Sequence, residues 1–216
     1  MIEKNIKSIL KDLKGKDCQL VCVSKTRTDE EIMEAYNAGC RDFGENHVQD
    51  LCEKRERLPK DIRWHMIGHI QTNKVKALLE GEVSLIHSVD SVKIANELNK
   101  RLDHKQDILL EINIAEEESK YGFPPNLSFL KEILKQIEKL EHLNCIGLMC
   151  VAPDTDNPLK NKKYFEKMKK YKESLGLKVL SMGMTNDYKI ALESDANYIR
   201  IGTGIFGERD YTKKDK

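Results

Sequence analysis

Eight short apolar runs alternate with amphipathic stretches along this 216-residue chain, and few folds can absorb that rhythm. The runs lie at 19–24, 41–43, 64–67, 84–87, 108–114, 144–151, 178–180 and 198–201. Ahead of the first, Ile2, Ile6, Ile9, Leu10 and Leu13 recur at helical spacing and Gly15 ends the segment. Helices are then expected over about 29–38, 46–57, 72–80, 92–102, 126–140, 165–175 and 186–194. Within 108–114, Ile108, Leu110, Ile112 and Ile114 share one face, with Glu111 and Asn113 on the other. Strands separated by helices imply parallel pairing through right-handed crossovers. Eight such repeats predict an α/β fold, a single (β/α)8 TIM-type barrel with an extra N-terminal helix. One domain is expected over 1–216, with 209–216 a frayed tail. An open doubly wound sheet is the alternative, but no G-x-G-x-x-G follows the first strand and no composition break separates two halves.

The 37 Lys and Arg nearly cancel the 36 Asp and Glu, so no overall field draws the protein to nucleic acid or an anionic membrane. The six cysteines form no C-x-x-C pair and no zinc-spaced cluster, and Cys22, Cys145 and Cys150 read as small core residues. Residues 1–7 lack the apolar run of a signal peptide or membrane span. Reduced thiols without an address point to the cytoplasm.

In a barrel of this kind, chemistry sits where strands end and loops begin. Lys25 is the only lysine directly at a strand's end, closing Gln19-Leu20-Val21-Cys22-Val23-Ser24. Desolvation there would lower its pKa, as a Schiff-base amine requires; the bland reading is a lysine that snorkels to the rim. The loops after strands 7 and 8 frequently form a barrel's phosphate site. Here they read Ser181-Met182-Gly183-Met184-Thr185 and Gly202-Thr203-Gly204, offering backbone amides and the hydroxyls of Ser181, Thr185 and Thr203. The same glycines could simply make tight turns.

Arg200, inside the run Tyr198-Ile199-Arg200-Ile201, needs a partner such as a ligand ring nitrogen or carboxylate, or a structural ion pair with Glu111 or another inward acid. Asn46 could hold a ligand oxygen or merely cap the helix that follows. His65 and His87 read as satisfied core or rim histidines, while His69 lies in a loop. Met149, Met182 and Met184 could pad an aromatic ring or pack the core. An imine-forming lysine, a phosphate cradle and a cation between them are the groups that hold pyridoxal 5′-phosphate, with its aldehyde on Lys25 and its phosphate at Ser181, Gly202 and Thr203.

The chain also resembles the pyridoxal phosphate homeostasis family over nearly its whole length. The resemblance is carried by Val23-Ser24-Lys25-Thr26, Phe43-Gly44-Glu45-Asn46 with Val48-Gln49, and Trp64-His65-Met66-Ile67-Gly68 with Gln71-Thr72-Asn73-Lys74. It continues through Ile86-His87-Ser88-Val89-Asp90, Gly147-Leu148-Met149, Ser181-Met182-Gly183-Met184, and Arg200-Ile201-Gly202-Thr203 with Ile205-Phe206-Gly207. It implies a barrel like the N-terminal domain of alanine racemase, with cofactor held as a Schiff base on Lys25. Phosphate contacts would fall in the loops holding Ser181, Met182, Gly183, Thr185, Gly202 and Thr203, and the pyridine nitrogen would meet Arg200. It further implies a role in vitamin B6 balance, with pyridoxal-phosphate-dependent apoenzymes as recipients. Thr185 stands where the family often has serine, and His69 where it often has proline.

A carrier without turnover is the favoured reading, and the chain is expected to act as a monomer. A racemase is the alternative, but it needs a second base from a further domain for which 216 residues leave no room. An arginine at the ring nitrogen also disfavours a protonated electron sink. A cofactor-free aldolase would need further buried acids or lysines, of which Glu111 is the clear candidate.

Overall fold

The computed structural model describes residues 1–208; the expected frayed tail at 209–216 lies outside them. Helix α1 (Ile2–Leu13) buries Ile2, Ile6, Ile9 and Leu13, and Gly15 follows it with φ 77°. The first strands are β1 (Gln19–Val23), β2 (Asp42–Glu45), β3 (Arg63–Met66) and β4 (Leu85–Val89). Helices α2 (Asp29–Asn37), α3 (Val48–Arg57) and α4 (Val75–Leu79) connect them. Beyond α5 (Val92–Arg101) come β5 (Gln106–Ile112), α6 (Leu127–Ile137), β6 (Leu143–Cys150) and α7 (Lys162–Ser174). The chain then forms β7 (Val179–Ser181), α8 (Tyr188–Glu193), β8 (Tyr198–Ile201) and a single turn, α9 (Thr203–Phe206), that the sequence pattern does not anticipate.

Helix starts follow local chemistry. Thr28 and Glu31 form a reciprocal capping box at α2, and the side chains of Ser91 and Asn126 accept the N3 amides of α5 and α6.

Each strand pairs in parallel with the next, and β1 pairs with β8, closing an eight-stranded barrel in chain order. Alternation along the strands sorts side chains into two layers. Outward residues such as Phe43, Met66, Ile86, Ile108, Leu110 and Leu148 join the core under the helices. Leu85, Leu109 and Met149 pack with Ile146, Val151, Val179 and Tyr198 as a second, smaller cluster. The seam between β7 and β8 has a single register pair, Ser181 with Tyr198. Among the described residues no helix is long and apolar enough to cross a membrane, and no cluster of His, Cys, Asp or Glu could hold a metal ion. All six cysteines are free.

Candidate functional site

The end of β1 is tied down from below. Ser24 donates its backbone N–H to the Gly44 carbonyl (3.1 Å) and its hydroxyl to Glu45 Oε1 (2.6 Å). Lys54 Nζ donates to the Ser24 carbonyl (2.8 Å) and to Glu45 Oε1 (2.7 Å). Lys54 and Glu45 are both buried. Burial pushes the Glu45 carboxyl up against the opposing pull of Lys54. Lys25 follows, partly buried, and Thr26 turns the chain in the left-handed region at φ 63°. Arg27 then donates to the carbonyls of Phe206 (3.3 Å) and Gly207 (2.5 Å), fastening this turn to the chain after β8.

Lys25 opens onto a cavity of about 430 Å3 that also touches Thr185, Arg200, Gly202 and Thr203. Thr203 Oγ1 donates to Thr185 Oγ1 (3.1 Å), which also accepts the Gly204 amide (3.1 Å). The Thr185 hydroxyl hydrogen is therefore left for another acceptor.

The glycines of the two loops divide cleanly. Gly183 has φ +93°, and a Cβ there would meet Ala191 Cβ at 2.6 Å, so the fold itself demands it. Gly202 has ordinary φ (−110°), and the nearest atoms to an added Cβ would be those of Val23, at 3.5 Å. Neither backbone nor packing requires glycine at 202, which is what a backbone approached by a ligand would show.

Of the candidates in the loop after β7, Gly183, Met182 and Ser181 do not line this cavity. Met182 is buried in the core under the helices, so packing accounts for it. The Ser181 hydroxyl also turns away. Its Oγ accepts from Arg200 Nη1 (2.5 Å) and lies 2.8 Å from His87 Nδ1 inside the barrel. The Ser181 hydroxyl, expected to contact a phosphate, is turned inward by the side-chain alternation of β7 and is engaged there by Arg200 and His87.

Arg200 is buried, with Nη2 donating to the Cys150 carbonyl (2.8 Å). No ion pair joins it to Glu111 or another acid among the described residues, which removes the structural pairing weighed for it. His65 and His87 are indeed buried and satisfied: His65 Nδ1 lies 2.9 Å from His87 Nε2, and His65 Nε2 lies 3.0 Å from Asp42 Oδ1. Burial opposes ionisation of Asp42, but hydrogen bonds from His65 and Arg63 outweigh it and bring that carboxyl down to about 2.

Asn46 lines a second cavity, of about 680 Å3, with Gly68, Glu111, Asn113 and Tyr121. Lys120 and Val151 border both cavities, so the two adjoin at the barrel mouth. His47, not Asn46, holds the N-cap position of α3, so capping does not explain Asn46. His69 stacks on Tyr121 (3.7 Å between centroids) and bonds Asp90 Oδ2 (2.5 Å), bridging two loops at the rim. Glu111 Oε2 is buried with no hydrogen-bond partner among the described residues. Burial first, and then Asp90, push its carboxyl up to about 7.

Sequence reasoning did not single out Lys54, Arg27 or Asp187. Lys54 carries a weak signal, as a buried-face lysine at α3's i, i+3, i+6 stripe with Val48 and Leu51. Asp187 accepts the Met184 amide (2.7 Å) and the Asn161 side chain (2.8 Å), shaping the loop after β7.

The family model described as alanine racemase, N-terminal domain matches residues 1–210. The pyridoxal phosphate homeostasis protein of Aquifex aeolicus is 41% identical over 209 residues, covering 92% of this chain and 90% of that one. Its human counterpart is 36% identical over 225 residues, covering 94% and 81%. PipY of Synechococcus elongatus PCC7942, solved with PLP bound, superposes with a TM-score of 0.85 at 32% identity, covering 96% of this chain and 100% of that one. The chain belongs to the family of alanine racemase N-terminal domains and, within it, to the pyridoxal phosphate homeostasis proteins.

Proposed function

We propose that this protein binds pyridoxal 5′-phosphate at the mouth of its barrel and serves vitamin B6 balance rather than turnover. The carrying observation is the convergence of Lys25, Arg200, Thr185, Gly202 and Thr203 on one 430 Å3 cavity. The cofactor supplies an aldehyde that condenses with a primary amine, releasing water. Lys25 is that amine, held at a turn whose backbone Lys54 and Glu45 fix. Thr185, Thr203 and the backbone at Gly202 take the phosphate, with Gly183 shaping the approach. Arg200 donates to the ring nitrogen and, being unable to give up a proton at neutral pH, keeps that nitrogen unprotonated. Asn46 and Glu111 line the adjoining space beyond the ring.

Non-catalytic use is supported by the names of the relatives, which are homeostasis proteins rather than racemases. Asp187, an acid that lines this cavity, has both oxygens engaged by Met184 and Asn161, so it is poorly placed to move protons. Transfer to apoenzymes in the cytoplasm, from a monomeric carrier, completes the reading.

Spectrophotometric titration with pyridoxal phosphate tests it. A saturable visible band is expected for the wild type, absent in Lys25→Ala and weakened in Thr203→Val. Turnover of free L- or D-amino acids above the Lys25→Ala background would reject the carrier role.

A further inference from the structure

Six side chains form one hydrogen-bonded file through the barrel. Arg63 grips Asp42 with two bonds (2.8 and 2.6 Å); His65, His87 and Ser181 follow, and Arg200 ends the file at the cavity. The file starts near the amino ends of the strands, where Arg63 is half exposed, and finishes beside the cavity that Lys25 lines.

Its ends decide which way every bond points. Arg63 and Arg200 can only donate, and an ionised Asp42 can only accept. His65 must therefore carry a proton on Nε2, the atom facing Asp42. His87 lies well below the ordinary histidine value because burial, with His65 and Arg200 adding, opposes its charge. It is neutral and carries one N–H.

If that hydrogen sat on Nδ1, Ser181 Oγ would receive N–H groups from both His87 and Arg200, and its own hydrogen would have no partner in the file. His65 would then have to be doubly protonated to serve His87 Nε2, adding a second buried cation to the file. Placing the hydrogen on Nε2 satisfies every member: His87 donates to His65, Ser181 to His87, and Arg200 to Ser181. The remaining groups near the file are Tyr198, whose ring lies 5.7 and 5.5 Å from those of His65 and His87, and Glu111, Asp187 and Cys150 near Arg200.

We propose that His65 and His87 are positioning residues for Arg200. Through Ser181 they present a fixed acceptor to one arm of the guanidinium, while the Cys150 carbonyl holds the other. The remaining N–H groups of Arg200 are thereby set in one orientation toward the cavity and meet the cofactor's ring nitrogen, a role that rests on the cofactor reading above. Control of that nitrogen thus extends down the barrel to Asp42, on β2.

Two measurements on the full chain decide this. The first uses cofactor-free protein with 15N-labelled histidine and long-range 1H–15N spectra. His65 and His87 should both carry hydrogen on Nε2, and His87 should not titrate between about pH 5 and 8. A His87 protonated on Nδ1, or titrating in that range, overturns the file's direction. The second loads wild type, Ser181→Ala and His87→Gln with pyridoxal phosphate and follows the visible band against pH. Loosening Arg200 lets the ring nitrogen gain a proton more easily, and that positive charge lowers the proton affinity of the nearby imine. The band's midpoint should fall by about half a pH unit or more in both variants. Competition by inorganic phosphate should stay within about twofold of wild type, since neither variant alters Thr185, Gly202 or Thr203. Unchanged midpoints in both variants overturn the positioning role. A wild type that takes up no cofactor overturns the cofactor reading and this role with it, leaving the spectra of the free protein to judge the file alone.

Discussion

Lys54 Nζ sits 2.7 Å from Glu45 Oε1 directly beneath the turn that carries Lys25, and both side chains are buried. A buried pair contributes little beyond well-packed apolar replacements, but removing one partner strands the other charge. Lys54→Met should therefore cost about 3–5 kcal/mol in urea unfolding, and the double variant Lys54→Met/Glu45→Leu distinctly less. Equal costs would show that the pair is not energetically coupled.

Asp42 links the proposed Arg200 support to acid stability. Its folded carboxyl lies at about 2 against an ordinary value of 3.8, so the folded state favours the ionised form. A depressed carboxyl contributes stability above its unfolded pKa that disappears as pH falls through the folded one. About 2 kcal/mol should be lost between pH ~4 and ~2. Asp42→Asn should lack this component, so its stability gap to wild type should narrow across that window. A gap independent of pH would contradict the assignment.

Glu111 has the opposite sign. Its folded carboxyl rises to about 7 from 4.5, so the folded state favours the neutral form. That stability is complete below the unfolded value and is lost as pH rises through 7. In cofactor-free protein, Glu111→Gln should gain on wild type by about 3 kcal/mol between pH ~4 and ~8. Denaturant melts across this range would show it, and parallel pH profiles would count against it.

The barrel was legible because its strands are short apolar runs and its helices carry one apolar stripe, so the two periodicities alternate visibly. That Lys25, Arg200, Thr185, Gly202 and Thr203 would meet at one cavity was legible from their place at strand ends. What escaped depends on direction and distance. Ser181 carries the right hydroxyl in the right loop, yet the two-residue alternation of β7 points it inward. Lys54 and Arg27 act through contacts 30 and 180 residues away in the chain, which no local pattern encodes. The turn α9 is too short for a periodic signal.

The two loop glycines should respond differently to the same change. Gly183→Ala places a Cβ 2.6 Å from Ala191 Cβ at φ +93°, and should destabilise by roughly 2 kcal/mol or more. Gly202→Ala meets nothing closer than 3.5 Å and should stay within about 1 kcal/mol of wild type in urea, while weakening pyridoxal phosphate uptake at least about tenfold. Undiminished uptake by Gly202→Ala would remove that backbone from the phosphate cradle.

The proposed anchor is Lys25, and borohydride reduction followed by peptide mass mapping tests it most directly. Pyridoxal phosphate incubated with the wild-type chain and then reduced should leave one phosphopyridoxyl group, on the peptide containing Lys25, and none on that site in Lys25→Ala. Labelling confined to other lysines, or no labelling at all, would contradict the account.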